Sequence, residues 1–180
     1  NDLRNGGRGA PLTPIFHKLI TQQNEIPLPV CILNLGGIAN ITALKGYDYK
    51  DIFSCDIGPG NCLIDQWIRK RSNKKYDKNG LISKSGKVDK NILDKAFEKY
   101  NHKKKLSLHT KDFDLSFFQD LSFEDGAATI TYFTSKILYT QLLKILKSEE
   151  NKLWKVLLCG GGRKNNTLIQ TIKDKTSNKL

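Results

Sequence analysis

The sequence has 180 residues, of which 38% are hydrophobic and 27% charged. That suits one core of ordinary size, or pieces of two, and predicts a globular soluble protein rather than a disordered one. No apolar run reaches the roughly 18 to 20 residues of a membrane helix, and the opening NDLRNGGRGAP is not a secretory signal. The net charge of +12 invites a nucleic-acid reading. Its distribution argues against one: arginine is confined to Arg4, Arg8, Arg69, Arg71 and Arg163, and the lysines are spread among Asn and Ile as solvated surface. With no methionine, a glycine-rich start and an end just after a helical pattern, the chain reads as an internal piece of a longer protein.

In chain order, residues 1–12 form a glycine-rich loop. Pro14 then starts a helix with Ile15, Phe16, Leu19 and Ile20 at helical spacing. Two apolar strands follow at 30–35 and 38–44, joined by Gly36-Gly37 as a hairpin. A third strand, DIFSCD, ends on Asp56. After Gly58-Pro59-Gly60-Asn61 comes a helix carrying Leu63, Ile64, Trp67 and Ile68, with Gly60 or Asn61 as its cap. Residues 72–90 are polar and loop-rich before a helix near KNILDKAFEKY, and SLHTKDFDLSFFQDL is ambiguous. Ser122 with Asp125 resembles a capping box and opens a long helix. WKVLLC is a buried strand running into Gly160-Gly161-Gly162, and NNTLIQTIKDK is the helix after it. The order predicts an α/β domain with antiparallel pairing at one edge.

Three glycine turns at strand ends point to a nucleotide or a phosphorylated ligand. A missing Cβ lets the backbone approach a ligand, and turn amides can hold an anion. There is no GxxxxGK followed by Ser or Thr, so a P-loop is excluded within these residues, and no GxGxxG follows a strand. Asp56 is the best acid/base candidate; turn capping is an equally good reading of its position. Asp65 in the following helix is expected at the surface or facing a hinge, and His17 is expected to pack or to partner a helix end. Cys31, Cys55, Cys62 and Cys159 form no CxxC, and with His17, His102 and His109 they give no zinc spacing. They read as small buried thiols of a reducing cytoplasm.

Taken together, NDLRNGGRGAPLTPIFH, LNLGGIANIT, DIGPGNCLIDQWI, YDKNG, LSFEDGAAT and LLCGGGRKNNTLI resemble the anhydro-N-acetylmuramic acid kinase family, in the family's order and over most of the chain. The resemblance implies a ribonuclease-H-like (actin-like ATPase) domain with a mixed sheet and flanking helices, part of a two-domain protein with ATP in the cleft. Residues 1–27 would then end the first domain and connect it to the second, and 28–180 would form most of the second. The family opens the 1,6-anhydro ring of its sugar with water and phosphorylates O6 using ATP and Mg²⁺, within cell-wall recycling in the cytoplasm.

On that resemblance Asp56 is the general base. Asn34, Gly36, Gly37 and Asn40 face the ATP phosphates, and Gly160, Gly161 and Gly162 approach the adenosine. Gly6, Gly7, Gly9, Gly58, Gly60 and Asn61 line the sugar side. Arg8 stands where the family usually has Gln, and the metal ligands are not read. The partner is a small anhydro-sugar, without nucleic acid or membrane; homodimerisation stays open, and residues 1–180 alone would be inactive. The competing readings are a non-catalytic nucleotide-binding member of the superfamily, a kinase for another sugar, and a basic nucleic-acid module of ribonuclease-H-like fold.

Overall fold

The computed structural model describes residues 13–101, 108–146 and 153–176. Helix α1 (Pro14–Gln23) starts at the proline, whose missing N–H costs nothing in a first turn. Strands β1 (Val30–Leu35), β2 (Ile38–Leu44) and β3 (Ile52–Pro59) follow, then helices α2 (Cys62–Arg71), α3 (Leu81–Ser85), α4 (Lys90–Asn101) and α5 (Phe123–Leu146). Strand β4 (Lys155–Cys159) and helix α6 (Asn166–Thr176) complete the described elements.

The sheet runs β3-β2-β1-β4. The first three strands form an antiparallel meander, and β4 pairs in parallel with β1 after the helical crossover. This is the mixed sheet with flanking helices that the ribonuclease-H-like reading requires.

Side chains alternate across the sheet, and the two faces differ in chemistry. On one face Cys31, Leu33, Leu35, Ile41 and Ala43 pack against Leu138, Leu142 and Leu146 of α5 and Leu168, Ile169 and Ile172 of α6. Helix α5 is apolar around most of its circumference because it is buried on two sides: Ile130, Phe133 and Ile137 serve a second core with Leu63, Ile64, Trp67 and Ile68 of α2. Ser122 caps α5 through Asp125 N (3.1 Å), while the Asp125 carboxylate accepts from Lys87 N (2.7 Å) instead of closing the box. The opposite sheet face is apolar only at one end, with Val30, Ile32 and Leu44. Beyond them it turns polar: Asn34, Asn40, Thr42, Ser54 and Asp56 are cross-strand or same-face neighbours.

The third strand is longer than the sequence pattern suggests. Asp56 lies inside it, and β3 continues until Pro59 pairs with Ile38. The register skips between Ala39 and Asn40, whose partners are Gly58 and Asp56, so Ile57 is the extra residue of a bulge. Ile57 is buried in the α5-side core. Pro59 is tolerated because β3 is the edge strand of the described sheet. The ambiguous segment forms two short 3-10 turns, Thr110–Asp112 and Ser116–Phe118, rather than a strand or a long helix.

Helix α1 lies over the polar face. His17 Nδ1 and Thr42 Oγ1 share a 2.8 Å hydrogen bond in a buried setting, which gives His17 the packing role expected of it. Burial lowers its pKa below the ordinary 6.5. The fold therefore holds the neutral ring, whereas the unfolded chain takes up the proton first as pH falls. The stability contributed by His17 is complete above about pH 6.5 and declines as the pH drops from there toward the folded-state value. Urea titrations of the full-length protein at decreasing pH should show this decline. Thr42→Val should cost about 1–3 kcal/mol at neutral pH by leaving the ring nitrogen unpaired.

Candidate functional site

The three glycine turns meet. The two carbonyls of the β1–β2 turn accept the first amides of α2: Asn61 N donates to Gly36 O (2.7 Å), and Gly60 N and Cys62 N donate to Gly37 O (3.0 and 3.2 Å). These amides are among those that a helix start leaves without partners. Asn61 sits at the cap position but does not cap with its side chain. Its Nδ2 donates to Leu35 O (3.1 Å), and its amide lies against Gly162 on the third turn. Gly160 has φ +77°, and a Cβ there would stand 2.5 Å from Asn34 Oδ1.

The glycines therefore divide into two kinds. A Cβ on Gly60 would fall onto Gly36 O, and one on Gly58 would press on Ile137. Both residues are buried, and their missing side chains make room for neighbouring protein atoms. Gly37 and Gly161 are exposed, and a Cβ on either would find its nearest neighbour only at 3.9 or 3.8 Å. Space for a ligand beside the backbone lies at these two. Gly6, Gly7 and Gly9 lie outside the described residues.

Asp56, Asn40 and Asn34 form a row across β3, β2 and β1 on the polar face. Asp56 is half-buried. Its Oδ2 accepts from Leu108 N (3.2 Å), and no described residue donates to its other oxygen. Asn40 Oδ1 is buried without a hydrogen-bond partner among the described residues. The segment after Leu108 passes near the hairpin turn, with Thr110 beside Gly37, and is closed by His109 N donating to Asp112 Oδ2 (2.8 Å). A carboxylate with one oxygen steadied by a backbone amide and the other without a donor among the described residues is equipped to take a proton. No group of three or more His, Cys, Asp or Glu gathers among the described residues as a ready metal site.

On the far side of Asn61 lies a cavity of about 450 Å³, lined by Asp65, Ile64, Tyr76, Lys78, Gly161 and Lys164 among others. Its frame is rigid. Asn165 Oδ1 caps α6 by accepting from Leu168 N (3.0 Å), and Thr167 Oγ1 donates to Gly80 O (2.7 Å). Asp77 is buried, and its two oxygens accept from Ile82 N, Ser83 N and Ser83 Oγ at 2.6–3.0 Å. Asp77 thus holds the start of α3. Asp65 faces the cavity instead of plain solvent. Burial raises its pKa, which the Arg69 charge opposes and the Asp77 charge adds to.

The model of the anhydro-N-acetylmuramic acid kinase family matches residues 1–179. The chain belongs to this family. An anhydro-N-acetylmuramic acid kinase of Pelagibacter ubique (strain HTCC1062) is 50% identical over 176 residues, covering 96% of the chain and 47% of that protein. One from Zymomonas mobilis subsp. mobilis is 37% identical over 176 residues, covering 97% of the chain and 46% of that protein. The chain spans about half the length of the curated relatives it matches.

The family motifs thus map onto one surface in part. The hairpin turn, Asn61 and the Gly160–Gly162 turn are brought together, with Asn34 beside Gly160 and the row to Asp56 starting from it. Sequence reading missed the cavity wall at Asp65 and the bracing by Asp77 and Asn165. The available signal was the spacing of Asn61 and Asp65, four apart on one helix face. The four cysteines form no disulfide, and burial pushes Cys31 and Cys62 up to about 12 and about 11. Gly60→Ala should destabilise the full-length protein by about 1–3 kcal/mol in urea, because backbone must move. Gly161→Ala should stay within about 0.5 kcal/mol of the parent.

Proposed function

We propose that the full-length protein opens the 1,6-anhydro ring of anhydro-N-acetylmuramic acid with water and phosphorylates O6, giving N-acetylmuramic acid 6-phosphate. Family membership over nearly the whole chain supports this reading, and Asp56, with one carboxylate oxygen on the polar face that no described residue donates to, carries it. Asp56 takes one proton from a water molecule as its oxygen bonds to the anomeric carbon. The bond from that carbon to O6 breaks, and O6 leaves as the phosphoryl acceptor. ATP supplies the phosphoryl group, and Mg²⁺ neutralises charge on its oxygens.

The residues present fit such a ligand. The exposed turn at Gly37 leaves open backbone for phosphates, and Gly161 leaves open backbone for the nucleoside. Positioning by rigid backbone is the main service the protein gives in phosphoryl transfer.

We further infer that residues 1–27 belong to the end of a first domain and its connection, and that the remainder of the full-length protein covers α1. Ile15, Phe16 and Leu19 are 60%, 60% and 49% exposed on that helix, an apolar group with no described partner of matching area. No helix among the described residues is long and apolar enough to cross a membrane; the proposed reaction belongs to cytoplasmic recycling of cell-wall sugars.

The test uses the full-length protein with Mg-ATP, the anhydro-sugar and ¹⁸O-water. Mass spectrometry should find a phosphorylated sugar with one ¹⁸O at the anomeric hydroxyl, above the exchange seen when finished product is held in the same water. A folded protein that gives no phosphorylated sugar overturns the reading. Asp56→Asn, which cannot accept the proton, should lower turnover about 10²–10⁴-fold while calorimetry shows nucleotide binding retained. An ordinary rate in that variant would remove Asp56 from the mechanism.

A further inference from the structure

The cavity beside Asn61 holds a carboxylate that the proposed chemistry does not use. Asp65 stands one turn along α2 from Asn61, on the same helix face. It lines a space of about 450 Å³, within the roughly 300–1,000 Å³ typical of small-molecule pockets. The cavity's other buried carboxylate, Asp77, is already occupied by Ile82 N, Ser83 N and Ser83 Oγ. No hydrogen-bond donor among the described residues reaches the Asp65 carboxylate, and Arg69 offsets its charge without a close ion pair.

An ionised carboxylate accepts and cannot donate. Half-buried at a cavity wall, it calls for a ligand that brings donors. Its surroundings narrow the choice. Gly161 leaves open backbone beside it, Tyr76 is exposed at the mouth, and Lys78 and Lys164 give the rim positive charge. A molecule with adjacent hydroxyl donors, a flat ring and phosphates satisfies all of these at once. Two neighbouring hydroxyls present two O–H donors to the two carboxylate oxygens, whereas the exocyclic amine of adenine occupies only one side of such an acceptor.

We propose that Asp65 reads the ribose of the bound nucleotide, its carboxylate accepting the 2′ and 3′ hydroxyls, and so selects ribonucleotides over 2′-deoxyribonucleotides. The assignment rests on the nucleotide-binding part of the proposed function, and it makes Asp65 a specificity residue rather than a participant in bond making.

Calorimetric binding of ADP, 2′-deoxy-ADP and 3′-deoxy-ADP to the full-length protein tests it without the sugar. The parent should bind ADP about ten-fold or more tightly than either deoxy analogue, as expected for a lost hydrogen bond to a charged acceptor. In Asp65→Ala that preference should fall to within about two-fold, through weaker ADP binding with the deoxy analogues nearly unchanged. Asp65→Asn keeps the shape and one acceptor and should lie between. Equal binding of ADP and both deoxy analogues by the parent overturns the proposal. So does a folded Asp65→Ala or Asp65→Asn that loses all three ligands alike or keeps the parent's preference. Ribose discrimination that depends on Asp65, in a protein that phosphorylates no anhydro-sugar, would uphold this proposal and sink the kinase reading alone.

Discussion

The site depends on a contact between two pieces of backbone. The carbonyls of Gly36 and Gly37 take the amides of Gly60, Asn61 and Cys62, and residue 60 has no room for a side chain where it crosses Gly36. This contact fixes the start of α2 directly against the β1–β2 turn. It fulfils the helix-start amides with main chain, which frees the Asn61 side chain to tie Leu35 and to meet the Gly160–Gly162 turn. Strand ends from both halves of the sheet are thereby set in one cluster.

The division of the sheet faces gives the second constraint. Alternation alone sends Leu33, Leu35 and Ile41 into the core and Asn34, Asn40 and Asp56 to the other side. A slip of one residue would bury the polar row and expose the core row. The bulge at Ile57 resets the phase within β3, so that Ile57 and Gly58 both serve the α5 side while Asp56 stays on the polar one. The placement of Asp56 and the packing of the core are thus two readings of one register.

Much of this was legible in the sequence. Strands β1 and β2 have the predicted bounds because apolar runs flank an unambiguous Gly-Gly turn. Pro14 and Ser122 mark helix starts by local chemistry that needs no tertiary context. The end of β3 was misread because Asp-Ile-Gly-Pro-Gly has the composition of a turn, and only its place at the sheet edge lets it remain extended. The 108–118 segment escaped pattern reading because side chains such as Asp112 and Asp114 close its turns one by one. Asp125 bonding to Lys87 and Asp65 facing a cavity depend on segments far apart in sequence. No local period encodes such meetings.

The parallel pairing of β4 with β1 joins Val30 to Lys155, the most distant strand pairing in the described sheet. Closing so long a loop is entropically unfavourable until the intervening helices have condensed. The meander of β1, β2 and β3 needs no such help, being built from neighbours in sequence. The order of assembly follows. The hairpin turn and Asp56 belong to the part that forms from local contacts, while the Gly160–Gly162 turn arrives only when β4 docks. During synthesis from the N-terminus, the side of the cavity that follows β4 is therefore placed after the meander, and a chain stalled before Trp154 holds Asp56 without the Gly160–Gly162 turn beside Asn61.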